Sequence, residues 1–284
     1  MPVKPKTAAE YESQQSALVR STCLYVATKL GDLMQDILVI GGLVPSLIVD
    51  QETLRDGTEP HVGTMDLDVG LQLALLDEGR YRSLTERLRD AGFRMDTNDH
   101  GNPTRQRWLI EGARSVTLDF LIPPSREGDR GGSLRDIEPD FAAIIAPGLR
   151  CAFRDRQRVT LVGETLFGER ATRDVWVCGA GGFVVLKALA FDGRGVNKDA
   201  YDLFYVIRNY GSGPRDVADR LLPLLDDEEA QSARAILERD FTDPSGVGPR
   251  RVAAFVTGGI DDDLQLDVVG FVGQLLAELP RPAA

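Results

Sequence analysis

Only two histidines and three cysteines occur among the 284 residues. Cys23, Cys151 and Cys178 lie far apart and form no C-x-x-C unit, so the chain offers neither a disulfide framework nor the ligands of a thiolate zinc site. Long apolar runs are missing too. One of the longest, in "FAAIIAPGL", falls far short of the roughly 18 residues that span a bilayer, which argues against membrane insertion. The stretch "MPVKPKTAAEYESQQ" carries basic residues with no apolar segment behind them, and a cytoplasmic location is the expectation. An excess of positive charge is the third absence. A formal net charge of -11 argues against broad, sequence-independent attachment to nucleic acid, because no large positive field is present to release counterions. A local basic track remains in "RCAFRDRQR" (Arg150, Arg154, Arg156, Arg158), most simply read as the solvated face of a hairpin.

The pattern of what is present divides the chain. Residues 1–7 are expected to be disordered, and Leu18, Leu24, Val26, Leu30 and Leu33 recur at helical spacing up to about Met34. "DILVIGG" reads as a buried strand ended by glycine, and "LVPSLIVD" as a helix that tolerates Pro45 in its first turn. After a polar loop, "TMDLDVGLQL" alternates: Met65, Leu67, Val69 and Leu71 share one face, and Asp66, Asp68 and Gly70 share the other. "YRSLTERLRDAGF" is an amphipathic helix. "FRMDT", "RQRWLI" and "SVTLDFLIP" are strands, the last with Val116, Leu118 and Phe120 opposite Thr117 and Asp119. "PPSREGDRGGS" is a flexible excursion, and two further strand candidates, "CAFRD" and "RVTLVG", precede "RDVWVCGAGG", after which the character changes. Helices follow to the end, including "GFVVLKALAFDG" and "NKDAYDLFYVIRNY". The fold class is therefore α/β (α+β): an α/β domain with an N-terminal helix over 1–178, then a helical domain over 179–284.

Three carboxylates carry the chemistry. Asp66 and Asp68 are separated by one residue of a strand, which places their alpha carbons about 7 Å apart on one face. Such a pair repels itself unless a cation intervenes, and magnesium, which favours oxygen ligands and is held by one or two carboxylates with substrate phosphates, suits it. Asp119 on a further strand would complete a two-ion site. A strand, Gly41-Gly42 and a helix start add an anion site, since missing side chains allow close approach to N–H groups. "GGLVPS" matches neither G-x-x-x-x-G-K-[ST] nor G-x-G-x-x-G. Lys187 lies in the apolar run "FVVLKALAF", where an unpaired ammonium is costly. It either reaches a cleft or snorkels. Asp199 and Asp202 share a helix face, from which they either orient Lys187 or Arg194 or simply cap and solubilise the helix. Tyr201, Phe204 and Tyr205 read as helix packing, and His61 as either an acceptor or phosphate contact or an exposed loop residue.

In combination these elements resemble the nucleotidyltransferases of the DNA polymerase beta-like superfamily, particularly the AbiEii type found in toxin and abortive-infection modules. The matching positions are Gly41-Gly42, Asp66 with Asp68, and Asp119, together with Thr64 two residues before the first aspartate. Lys187 and the segment "NKDAYDL" (Lys198, Asp199, Asp202) match the lysine and the R/K-D-x-x-D-L segment of the AbiEii branch. The resemblance spans roughly residues 37–210.

It implies a polymerase-beta-like core with a mixed sheet, followed by a helical domain that completes a nucleotide cleft. It further implies that a nucleoside triphosphate is the substrate. Asp66, Asp68 and Asp119 would bind Mg2+; Gly41, Gly42, Thr64, Lys187, Asp199 and Asp202 would line the nucleotide site; and Lys187 would offset developing charge. The acceptor would be RNA, for instance a tRNA end, or protein, and a small antitoxin would be the partner. Two alternatives stand beside it: transfer to a small hydroxylated molecule such as an antibiotic, and an inactive binding or regulatory member of the fold. A chance scatter of aspartates would instead put Asp119 and Asp66 on different sides of the sheet. The interval from Gly42 to Asp66 is longer than the compact family pattern, and this loop either shapes an acceptor site or disturbs the spacing between cradle and carboxylates.

Overall fold

A computed structural model gives the fold for residues 5–54, 57–72, 78–98, 100–112 and 115–280. Helix α1 (Ser13–Leu30) leads through a 3-10 turn into β1 (Ile37–Ile40), the Gly41-Gly42 turn and the short helix α2 (Val44–Ile48). There follow β2 (Asp66–Leu71), α3 (Glu78–Asp90), β3 (Arg94–Thr97), β4 (Pro103–Glu111), β5 (Ser115–Ile122), β6 (Leu134–Glu138) and β7 (Phe141–Ile145). A short helix α4 (Leu149–Arg154) precedes the hairpin of β8 (Arg156–Glu164) and β9 (Arg170–Cys178). The remainder is helical: α5 (Ala180–Arg194), α6 (Asn197–Asn209), α7 (Pro214–Leu221), α8 (Glu228–Asp240), α9 (Val247–Thr257) and α10 (Asp262–Glu278). This is an α+β architecture, a mixed sheet followed by a helical bundle.

The strands lie in the order β3-β4-β5-β2-β1-β9-β8, with the β6-β7 hairpin joined to the end of β5 through β7. β2 runs parallel to β5 and antiparallel to β1, and β1 runs parallel to β9. All four residues of β1 are buried, as expected of a strand flanked on both edges and covered on both faces. In β2, Leu67, Val69 and Leu71 fill the core, and in β5 Val116, Leu118 and Phe120 do the same. The period-two pattern therefore sends Asp66, Asp68 and Asp119 to the other face. Glycines allow the bundle to reach the sheet. A Cβ at Gly182 would stand 2.7 Å from the Ala152 Cα, and one at Gly181 would stand 2.7 Å from the Leu221 amide nitrogen.

Several expectations are corrected. "CAFRD" lies in α4 and the turn after it, following Gly148 in the left-handed region, which starts a helix where a short apolar run had suggested a strand. Arg150 and Arg154 are thus helical while Arg156 and Arg158 lie on β8, so the basic track is no hairpin face. Its members are engaged: Arg150 donates to the Pro124 carbonyl, Arg154 pairs with Asp226, Arg156 covers Trp176 and Arg158 pairs with Asp174. The hairpin β6-β7 was not anticipated. The excursion before it is pinned by Asp129, which accepts from the backbone of Ser125 and Arg126 and pairs with Arg135. Residues 5–7 enter an ordered turn in which the Lys6 amide and the Thr7 hydroxyl donate to Glu10; residues 1–4 lie outside the described residues.

Replacing Gly181 by valine forces α5 away from the Arg220 backbone. We expect a loss of about 1–3 kcal/mol, as for overpacked cores, measured as a lowered urea midpoint with an unchanged slope.

Candidate functional site

The carboxylates of Asp66, Asp68 and Asp119 each offer a ligand oxygen, and these oxygens lie within 4.8 Å of one another. Strand pairing explains the convergence, because Asp68 and Asp119 are direct neighbours across the parallel β2-β5 pair. Chance scatter across two sides of the sheet is thereby excluded. Thr64, buried just before β2, has its hydroxyl 3.0 Å from Asp66 Oδ1 and 3.2 Å from the Asp66 carbonyl, which fixes the first carboxylate. Arg107 on β4 stands opposite Asp119 and grips it with two hydrogen bonds, 2.6 Å from Nε to Oδ1 and 2.5 Å from Nη2 to Oδ2. Asp119 in turn holds the Arg107 pKa above its ordinary value, with Asp66 and Asp68 adding to the effect. The grip fixes the orientation of the Asp119 carboxylate beside β4.

The glycine turn faces this cluster. Ile40 is in register with Asp68, so the chain leaves β1 directly beside that carboxylate. Gly41 adopts a φ of 72°, and a Cβ there would overlap the Asp68 carboxylate, whose Cβ would be 2.8 Å away. A Cβ at Gly42 would lie 2.8 Å from the Thr64 Oγ1 and 3.3 Å from the Lys198 Nζ. Only glycine allows backbone this close to side chains on both sides. The long loop has not moved the turn away from the carboxylates.

A second charge cluster adjoins the turn. Asp202 has no exposed side-chain surface and accepts from Lys187 at 2.7 Å, from Lys198 at 2.7 Å and from His61 Nε2 at 2.9 Å. Lys187 also reaches Asp199 at 3.0 Å, and Arg194 donates to both Asp199 oxygens at 2.7 Å. Burial works against the charge on Lys187, but Asp202 and Asp199 more than offset it and raise its pKa. Burial dominates at Lys198 and lowers its pKa despite Asp202. At Asp202 burial is outweighed by Lys187, Lys198 and His61, and its pKa falls well below the carboxylate range. Arg194, held up chiefly by Asp199, also feels Asp68 and Asp66, so the two clusters share one electrostatic neighbourhood.

His61 is buried rather than exposed, and both ring nitrogens have protein partners. Burial pulls its pKa down to about 4, so the ring is neutral at pH 7. Its Nδ1 accepts from the Gly63 amide, which assigns the proton to Nε2 as donor to Asp202. Tyr201 stacks on the ring, with Tyr205 edge-on, and both tyrosines are buried. Gln51 links the His61 amide to the Tyr205 hydroxyl, and Ser16 of α1 donates to the Val62 carbonyl. The described part of the inserted loop is therefore locked onto α6 and α1.

Sequence reasoning assigned no site role to Arg107 or Lys198. Lys198 belongs to the quoted "NKDAYDL", and Arg107 to the strand "RQRWLI", where only strand register joins it to Asp119. A separate cleft of about 500 Å³, lined by Ile48, Asp50, Asn209, Tyr210, Asp216 and Arg220 among others, contains none of these groups. No known protein family matches the chain, and no curated protein sequence is significantly similar to it. The mixed sheet with its acidic cluster is, in general terms, consistent with a nucleotidyltransferase-like layout.

Two predictions follow from the geometry. Gly41→Ala places a side chain at positive φ against Asp68; we expect a destabilisation of about 1 kcal/mol and, in calorimetry, weaker magnesium binding. Folded His61 is protonated only near pH 4, against an ordinary value of 6.5. Between these values the unfolded chain binds the extra proton, so His61's contribution is intact above pH 6.5 and is lost as the pH falls toward 4. Melting temperatures should decline across that window, and His61→Gln should flatten that part of the profile.

Proposed function

We propose that this protein is a magnesium-dependent nucleotidyltransferase, which moves a nucleoside monophosphate from a nucleoside triphosphate to an acceptor hydroxyl. The observation that carries this reading is the carboxylate trio of Asp66, Asp68 and Asp119 packed against a glycine turn that admits no side chain. An all-oxygen donor set fits magnesium, with Asp66, Asp68 and Asp119 as the holding residues. When bound, the metal would neutralise phosphate charge and lower the pKa of an attacking hydroxyl.

The protein's own groups supply the rest. Gly41-Gly42 brings backbone close to the phosphates, and Thr64 keeps Asp66 in position. Lys198, beside Gly42, and Lys187, fixed by Asp199 and Asp202, form the positive side that offsets charge on departing pyrophosphate. Arg107 holds Asp119 in the orientation from which it serves the acceptor hydroxyl. The nucleotide would lie between the sheet and the helical part, the two units we place at 1–178 and 179–284.

The finer reading is an AbiEii-type toxin acting on RNA or protein and restrained by a small antitoxin. It is supported by Lys187, Lys198, Asp199 and Asp202 joining in one network. The net charge of -11 favours a small or locally docked acceptor over a long nucleic acid. One observation favours a second reading, an inactive binding or regulatory member of the fold: the Arg107 fork occupies both oxygens of Asp119 and itself partly neutralises the cluster.

Incubation with each α-labelled triphosphate and magnesium, against total RNA, cell protein or no added acceptor, tests the proposal. We expect label transfer by the wild type and none by Asp66→Ala/Asp68→Ala, with the circular dichroism and melting temperature of the variant close to wild type. Full transfer by the double variant would refute the assignment. Absence of magnesium-dependent nucleotide binding, measured by calorimetry with each of the four triphosphates, would favour the inactive regulator.

A further inference from the structure

The described strands end in three open edges of unequal kind. β3 has four residues and its pairing is interrupted between Met95 and Asp96. β6 has five residues and shifts register between Asp136 and Glu138. β8 has nine residues, pairs with β9 without a break from Arg156–Cys178 to Glu164–Arg170, and ends the sheet. Short strands and bulges blunt an edge against further pairing, and β8 has neither. It contains no proline or lysine, and Arg158, Thr160, Val162, Gly163 and Glu164 are exposed, Val162 by 63%.

The direction of its free backbone groups follows from the hairpin. The Thr165 amide donates to the Glu169 carbonyl at 2.8 Å, and the Gly179 amide donates to the Asp155 carbonyl at 2.6 Å. In an antiparallel ladder, bonded pairs alternate. Residues 157, 159, 161 and 163 therefore bond inward to β9, and Arg156, Arg158, Thr160, Val162 and Glu164 present their N–H and C=O groups outward. These five are symmetric about Thr160.

We propose that β8 is a self-association edge, on which a second copy of this chain docks its own β8 antiparallel about a two-fold axis through Thr160. That register matches outward groups with outward groups throughout. It sets Arg156 opposite Glu164 of the second copy, twice by symmetry, and it sets the stem of Arg158 against Val162. On the inner face, Val159 meets Leu161. Opposite charges and apolar pairs directly across strands stabilise the pairing, so the sequence of β8 is complementary to its own reverse. Shifting the register by one residue would face outward groups with inward ones and break the ladder. β9 and β1 separate β8 from the strand that carries Asp66 and Asp68, so the pairing leaves the carboxylate cluster uncovered.

Cysteine cross-linking reads the register directly. The three native cysteines are buried, which gives a quiet background. Residues facing each other in a bonded pair have alpha carbons about 5.5 Å apart, within the range of a disulfide. Mild oxidation should therefore link Thr160→Cys chains into dimers. Arg158→Cys alone should not cross-link, because its copies would stand about 13 Å apart along the strands, whereas a mixture of Arg158→Cys and Val162→Cys should.

Without cross-links, light scattering on the wild-type chain should give twice the chain mass of 31.1 kDa at high micromolar concentration. Glu164→Arg or Arg156→Glu should each weaken dimerisation about tenfold, and the double charge swap should restore it. Circular dichroism of each variant keeps misfolding distinct from dissociation. A monomeric wild type at high concentration would leave the edge to a strand from another protein and overturn the proposal. Dimers indifferent to the charge swap, or Arg158→Cys linking to itself, would assign assembly to another surface and overturn it equally.

Discussion

The buried charge of Asp202 is the constraint on which the site depends. A carboxylate with no exposed side-chain surface is tolerated only when its lone pairs are filled by donors of high quality. Here those donors come from three places: Lys187 on α5, Lys198 on α6 and His61 on the loop before β2. Satisfying one carboxylate thereby fastens the helical part and the inserted loop to each other. Because the loop ends at Thr64, whose hydroxyl sets Asp66, the same network reaches the first strand carboxylate. Electrostatics behind the glycine turn and ligand geometry in front of it are one mechanical unit.

The glycine turn makes that unit compact. Gly41 lies against Asp68, and Gly42 against Thr64 and Lys198, so acidic and basic groups close in on two successive residues. The carboxylates suit a divalent cation, and under the proposed function the phosphates that accompany it would lie toward the turn's amides and the Lys198 ammonium. Arg107 balances Asp119 from the neighbouring strand, which keeps three carboxylates together in a fold that carries a net charge of -11.

Much of this was legible in the sequence wherever a local period decided the outcome. Alternation in "TMDLDVGL" and "SVTLDF" was enough to place three aspartates opposite the core, and the helix spacing of Asp199 and Asp202 was enough to aim them at Lys187 and Arg194. What stayed hidden depended on long-range pairing. The Arg107 grip requires the β4-β5 register, and the His61 contact requires a loop to fold back onto a helix 141 positions away. Short segments failed for a different reason: "CAFRD" is too brief for periodicity to separate helix from strand, and β6, whose burial does not alternate cleanly, follows a glycine-rich stretch that resembles a loop. The order of the strands, which sets β8 at the edge, has no local signature at all.

The central claim is that the Asp66, Asp68 and Asp119 cluster is a divalent-cation site that becomes complete with a triphosphate. Manganese titration followed by electron paramagnetic resonance, with and without a non-hydrolysable nucleoside triphosphate, tests it most directly. The account predicts bound manganese in the wild type, tightened by nucleotide, and loss of that signal in Asp66→Asn/Asp68→Asn. Manganese binding that is unchanged in the double variant, or absent from the wild type even with nucleotide, would contradict it.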